Sequence, residues 1–432
     1  MHAMLKKASG KNIRADLENL GRFNSTPGEG LTRILFTEQE LKARTYIKDR
    51  MRELGLSVHE DAIGNIFGRL PGTDPELSPV WTGSHIDTVP HAGQFDGMAG
   101  VVGGMEALRL IGESGRPHAR DLEVVVFTSE EPTRFGKGCL GSRALAGDLT
   151  RDEAAALTDA GGNTLRDVLA ELGYDEDGFS EIKRERGSVY ACVELHIEQG
   201  AVLENLGIKT GVVTAISAPT DLRVTVKGTQ QHAGATPMYL RKDALTAAAR
   251  IMLKAEELAR RAENVSTVAT VGAVRAYPGA TNVIPGRVEF SVDLRSSDLQ
   301  EKNGILETLR CYMEFTALEC DVDISEETVC HEHPARADSH IIQAIRTVCD
   351  EKNEPYHLMV SGAYHDSMFV ARFAPFGMIF VPSRGGISHH RDEWTDYGDI
   401  ALGADILAET LLRLSSETPE TKETSIPSNE NG

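Results

Sequence analysis

The sequence of 432 residues predicts an α/β protein, in which a domain built on a mixed, largely parallel sheet between helices is interrupted by a smaller α+β domain. Three observations lead there. Continuous apolar runs at 80–82 and 122–127 lead into the polar residues Ser84-His85 and Ser129-Glu130-Glu131, and such runs mark strands covered on both faces. Between Thr220 and Cys330 the texture changes to alternation, with Leu222, Val224 and Val226 in one stretch and Val288, Phe290, Val292 and Leu294 in another, which marks antiparallel strands with one covered face. At 378–381 the continuous pattern returns. The first domain is therefore expected at 1–215 and 331–415 and the inserted one at 216–330, and the chain is long enough for two cores.

In chain order, Thr37 and Glu40 have the spacing of a capping box, and Ile47, Met51 and Leu54 follow at helical intervals until Gly55 ends the run. The apolar strands at 80 and 122 come next. Helices are expected over 243–262 and 298–318, covering the alternating strands, and a last one over 400–414. Thr, Glu, Ser, Pro and Asn dominate 416–432, a composition expected to stay disordered.

Hydrophobic residues at 41% and charged residues at 25% are the balance of a folded globular chain. The net charge of -20 would repel a phosphate backbone or an anionic bilayer, so neither nucleic acid nor membrane is an expected partner. Single arginines can still hold a small anion. The six cysteines are scattered without a Cys-x-x-Cys pair, as in reduced thiols of a cytosolic protein. No apolar stretch follows Lys6 and Lys7, so a cytoplasmic location is the default expectation, with an organellar lumen as the alternative.

The chemistry-bearing residues gather just after apparent core strands. His85-Ile86-Asp87 follows the first run, and Phe95-Asp96-Gly97 opens a glycine-rich helix. Glu130-Glu131 follows the second run, His196 and Gln199 fall within 194–200, and Ser388-His389-His390 forms a fourth cluster. Each alone is what an ordinary polar surface offers. Together they lie where open α/β sheets bind ligands, and imidazole with carboxylate is a donor set for borderline divalent ions. Adjacent carboxylates such as Glu130 and Glu131 repel unless a cation or proton relieves them, which leaves one free to move a proton.

These motifs carry a resemblance. Ser84-His85-Ile86-Asp87-Thr88, Phe95-Asp96-Gly97, Ser129-Glu130-Glu131, His196-Ile197-Glu198-Gln199-Gly200, Gln231-His232-Ala233-Gly234, Asn282-Val283-Ile284-Pro285, Asp293-Leu294-Arg295 and Ile387-Ser388-His389 occur in the order found in the dinuclear aminoacylase and carboxypeptidase superfamily. Over 20–414 the chain resembles its amidase branch acting on ureido compounds, which includes allantoate, N-carbamoyl-L-amino-acid and ureidoglycolate amidohydrolases. The stretches 127–136, 211–216 and 363–367 are most similar to the ureidoglycolate members.

The resemblance implies two divalent ions per subunit, Mn²⁺ first and Zn²⁺ as the alternative. His85 and His196 would hold one and Glu131 and His389 the other, with Asp96 between them. It implies that Asp87 orients His85, that Glu130 moves the proton, and that His232 stabilises the developing oxyanion. Gln199, Asn282, Arg295, Tyr364 and His365 would bind a small anionic ureido substrate. Tyr364 stands where sister enzymes usually have glycine, so it would narrow the pocket. The inserted domain would act as lid and dimerisation domain of a homodimer, and a cis bond is implied at Asp96–Gly97. The expected reaction cleaves the ureido C–N bond of ureidoglycolate, releasing ammonia and carbon dioxide. Allantoate and N-carbamoyl-L-amino acids are the alternative substrates. A metal-lacking binding or scaffold protein is the alternative of another class, against which Glu130 and all five ligands stand.

Overall fold

The computed structural model describes residues 5–174 and 177–418. Its contacts divide the chain into two compact units, Met1–Thr214 with Ala337–Met359 and His365–Gly432, and Ala215–Arg336 with Val360–Tyr364, each taken over its described residues.

In the first unit a mixed sheet runs in the order Ser57–Glu60, Ile66–Leu70, Leu122–Phe127, Val80–His85, Ala191–Ile197, Phe376–Val381 and Thr210–Ile216. The four central strands are parallel and the flanking pairs antiparallel. Strand alternation explains the site. Val193, Leu195 and Ile197 join the core formed with the helices Met98–Ser114 and Tyr397–Ser415, so Glu194 and His196 face the other side of the sheet. Gly103 and Gly403 permit this packing, because a Cβ on either would lie within 2.6 Å of the Leu195 side chain.

The helix expected after Thr37 spans Glu38–Glu53, with Thr37 as N-cap, and is preceded by an unforeseen helix, Gly10–Gly21; the expected capping box is absent. The Thr37 hydroxyl donates to Ile34 O, while Glu40 accepts the Phe36 amide and pairs with Arg44. Arg44 is buried, and a buried cation takes the carboxylate it needs ahead of a helix cap. The start of the presumed disordered tail is tied down: the Glu417 carboxylate accepts from the Tyr190 hydroxyl and meets His340 Nε2 at 2.9 Å. Residues 419–432 lie outside the described residues.

The second unit is an antiparallel sheet in the order Val274–Tyr277, Arg287–Ser296, Ala218–Lys227 and Asp323–His331, with helices Ala244–Arg260 and Leu299–Cys320 packed on it. The two alternating sets coincide: Val288 pairs with Val226, Phe290 with Val224 and Val292 with Leu222, all buried on one face. Asp243 and Asp298 start the helices, each accepting two backbone amides. Buried Lys302 donates to Ala218 O, Pro219 O and Glu332 O, tying the two ends of the insertion together. No helix among the described residues is long and apolar enough to cross a membrane, and the six cysteines are free thiols.

Candidate metal centre

Four side chains from four other segments of the first unit gather around Asp96. Its Oδ1 lies 3.3 Å from His196 Nε2 and 3.8 Å from His85 Nε2, and its Oδ2 lies 3.1 Å from His389 Nε2. His389 Nε2 is also 3.6 Å from Glu131 Oε1. Two groups of three donors result, His85–Asp96–His196 and Asp96–Glu131–His389, each with its donor atoms within 4.8 Å of one another. They share one carboxylate, which presents a different oxygen to each group.

The imidazoles are set in the ligand tautomer. His85 Nδ1 is 3.0 Å from Asp87 O and His196 Nδ1 is 2.9 Å from Ile197 O. A carbonyl only accepts, so Nδ1 carries a proton and Nε2 of each ring is turned toward Asp96, the nitrogen that would be left to bind a cation. The Asp87 carboxylate accepts the Glu130 amide on Oδ1 and the Glu131 amide on Oδ2, so one side chain positions the His85 turn and both glutamates. Ser129, Gln199 and His389 hold φ near +55 to +58°, left-handed backbone on non-glycine residues of the kind that clusters at functional sites.

Gly97 meets two demands at once. Its φ is +66°, and a Cβ there would lie 2.4 Å from His85 Nε2. The implied cis bond is not present: among the described residues the cis peptide is Tyr277–Pro278, and glycine's left-handed φ makes the turn after Asp96 instead.

The electrostatics call for cations. Burial works against the charge of Asp96, yet His196, His389 and His85 hold its carboxyl well below the usual range. Burial and the neighbouring Asp96 push Glu131 up to about 7. Burial, with the charges of Glu131, Asp366 and Asp96, also holds Glu130 well above the ordinary range. His389, half-exposed on the rim, is pushed up to about 9 by its hydrogen bond to Asp96. Nitrogen and oxygen donors without thiolate, crowded with buried carboxylates, fit a pair of divalent ions.

Gln199 donates from Nε2 to Asp96 Oδ2 at 2.8 Å, and its buried Oε1 has no protein partner. His365 is buried edge-on against His196 at 4.5 Å, and burial beside His196 keeps it neutral. It forms a third donor group with Glu194 and His196, but the Glu194 oxygens already accept from Ser84 and Ser367 at 2.8 and 2.6 Å. That group is structural.

The other expected site residues belong to the second unit. His232 is exposed, and its Nδ1 accepts the Gly234 and Ala235 amides at 3.1 and 3.2 Å, which leaves Nε2–H as a donor. Asn282 is its neighbour across a short ribbon, since Val283 pairs with His232 and Ala233 N donates to Asn282 O. Arg295 donates from Nε and Nη2 to Asp293 and from Nη1 to Gly362 O, and lies within electrostatic reach of Tyr364.

Three buried carboxylates near the site escaped the sequence reading, one of them Asp366, whose charge acts on Glu130. Glu194 sits two residues before His196 on the same strand, and Glu393 lies four residues after His389 in a charged run that reads as solvated loop.

Comparison with known proteins places this geometry. The family model "Peptidase family M20/M25/M40" matches residues 81–413, a span containing all five of these side chains from His85 to His389. The chain is 41% identical over 409 residues to a ureidoglycolate hydrolase of Arabidopsis thaliana, covering 93% of this chain and 86% of that one. It is also 41% identical over 406 residues to an N-carbamoyl-L-amino acid amidohydrolase of Geobacillus stearothermophilus, covering 94% and 98%. A crystal structure of AtUAH in complex with (S)-hydroxyglycine superposes with a TM-score of 0.83 at 39% identity, covering 96% of this chain and 99% of that one. With ligand groups, fold and near full-length relatives in agreement, the chain belongs to the M20/M25/M40 peptidase family, among its amidohydrolases.

Proposed function

We propose that the chain is a dinuclear metal-dependent amidohydrolase that cleaves the ureido C–N bond of ureidoglycolate, releasing ammonia and carbon dioxide. The observation carrying the dinuclear reading is the sharing of Asp96 between two donor groups. His85 and His196 would hold one ion with Asp96 Oδ1, and Glu131 and His389 the other with Oδ2. Mn²⁺ leads and Zn²⁺ follows, since no thiolate selects a softer metal. Bound there, the cations supply Lewis acidity toward water and the carbamoyl oxygen.

The chain's own residues do the rest. Glu130, 3.9 Å from His85 Nε2, takes the proton of the attacking water and returns it to the departing nitrogen. His232 Nε2–H donates to the oxygen that gains charge. Arg295, with Asn282, holds the substrate carboxylate, for which a guanidinium offers two parallel hydrogen bonds. Gln199 Oε1 is an acceptor for the ureido N–H. His365, expected to bind substrate, is buried edge-on against His196 and supports that ring instead.

Identity alone does not choose the substrate, being 41% to both kinds of relative, and N-carbamoyl-L-amino acids are the second reading for that reason. Tyr364 beside Arg295 favours ureidoglycolate, whose carbon next to the carboxylate bears a hydroxyl rather than a side chain. Ammonia release with added Mn²⁺ on ureidoglycolate, allantoate and several N-carbamoyl amino acids tests this, and ureidoglycolate should give the highest kcat/KM. A higher value for N-carbamoyl-methionine or allantoate would overturn the substrate and leave the metal chemistry standing. Tyr364→Gly should lower kcat/KM for ureidoglycolate by about 10-fold or more, since a lost polar partner costs more discrimination than a methylene, and should admit bulkier substrates.

A homodimer through the inserted unit is part of this proposal. Met238, Tyr239 and Leu253 are 75%, 85% and 66% exposed, the apolar surface an interface would cover. His232 then serves the neighbouring subunit. Mixing inactive His232→Ala chains with inactive Glu130→Gln chains should restore part of the activity, because some heterodimers contain one site with both native residues. No recovery under conditions where subunits demonstrably exchange would return His232 to its own subunit.

A further inference from the structure

We infer that Glu393 is a positioning residue of the metal centre: one buried carboxylate that fastens the Asp96 turn to the His389 loop and thereby sets how tightly the ion pair is held. The inference rests on the dinuclear reading above. Glu393 is 3% exposed although its neighbours Arg391 and Asp392 are on the surface. Its Oε1 accepts the backbone amides of Phe95 and Asp96 at 3.0 and 3.1 Å, and its Oε2 accepts the Ser388 hydroxyl at 2.8 Å. The Ser388 hydroxyl also lies 3.3 Å from Asp96 Oδ2. A return bond from Glu393 N to His390 O, 3.0 Å, closes the loop that carries His389.

A buried carboxylate is costly unless both of its oxygens are used. Apolar packing alone would fill the space beside Phe95, whose ring is already held by Trp394 at 5.3 Å and Tyr397 at 5.7 Å. What a carboxylate adds is two acceptor oxygens aimed at two loops almost 300 residues apart in sequence. The amides of Phe95 and Asp96 are buried donors that need an acceptor, and satisfying both with one atom fixes the backbone from which the shared ligand projects. Gly93 leaves room for this, because a Cβ there would sit 2.4 Å from Glu393 Cβ and 2.6 Å from Oε1. Groups that orient a ligand in this way typically change metal affinity by about 10–100-fold when removed.

Three variants test it, Glu393→Ala, Glu393→Gln and Gly93→Ala, each stripped of metal and titrated with Mn²⁺ against a chelator of known affinity. Glu393→Ala should bind Mn²⁺ about 10–100-fold more weakly. Glu393→Gln keeps an acceptor for both amides and a polar group facing Ser388, so its loss should be smaller, and it keeps the packing should the alanine variant fold badly. Gly93→Ala displaces the carboxylate without removing it and should also weaken binding. At saturating Mn²⁺ the kcat of each should return toward wild type, and the metal-free unfolding temperature should not track the loss of affinity. Wild-type Mn²⁺ affinity in Glu393→Ala and Gly93→Ala overturns the inference. So does an equal loss in Gln and Ala, which assigns the effect to charge, and so does a loss that follows metal-free stability. If the wild-type chain itself takes up no Mn²⁺ or Zn²⁺, the dinuclear reading fails first and this inference with it. Two tightly held ions in wild type and variants alike sink only the role of Glu393.

Discussion

Glu130→Gln is expected to lower kcat by at least about 10²–10⁴-fold, the range spanned by positioned acid–base groups, with metal content close to wild type. Glutamine has the shape of glutamate but does not accept the proton of water at neutral pH. Glu130 belongs to neither donor group around Asp96, and its backbone is anchored independently by the Asp87 carboxylate, so neither ligand geometry nor loop position should change. KM should move little because the group acts on water rather than on the substrate carboxylate. Steady-state rates beside metal analysis of the same preparation provide the check. Full activity in the variant would remove Glu130 from the mechanism, and a parallel loss of metal would recast it as a ligand.

Asp96→Ala is expected to lose metal and activity together, with Mn²⁺ affinity falling beyond the about 10–100-fold typical of groups that only orient a ligand. Its two oxygens serve different donor groups, so one substitution removes a ligand from each. The fold should survive. Three imidazoles hold the Asp96 carboxyl well below the usual range, so its charge stabilises the metal-free fold even though it also helps push Glu131 up to about 7. Metal-free Asp96→Ala should therefore unfold below the temperature of the metal-free parent at neutral pH and should no longer gain stability from Mn²⁺. Retention of two tightly held ions would place the shared ligand elsewhere.

The sequence made the framework legible where one physical signal dominated. Strands buried on both faces leave long apolar runs, and the half-covered sheet of the insertion leaves strict alternation, so both sheets could be read from Val80, Leu122, Leu222 and Val288 onward. His85, Asp96, Glu131, His196 and His389 carried recognisable motifs. The misreadings have a common cause, namely competition that spacing does not display. Thr37 and Glu40 have capping-box spacing, but the carboxylate goes to buried Arg44 one turn later. Gly97 is required by its φ and by the His85 ring rather than by a cis bond. Glu393 looks solvated because its partners, the Phe95 and Asp96 amides, are nearly 300 residues away.

The split of the first unit has a consequence during biosynthesis. The Ala191–Ile197 strand, buried along its whole length, has Val80–His85 on one side and Phe376–Val381 on the other. A ribosome must make residues 198–375 before the second neighbour exists, a wait of roughly 10–35 s at about 5–20 residues per second. Through that interval an apolar β edge, already carrying His196, is open to pairing with any other chain. The insertion has its own core and can fold in the same interval, so the unit that carries the candidate metal centre is expected to close last. Chaperone cover at that edge until Phe376 emerges is the expected need.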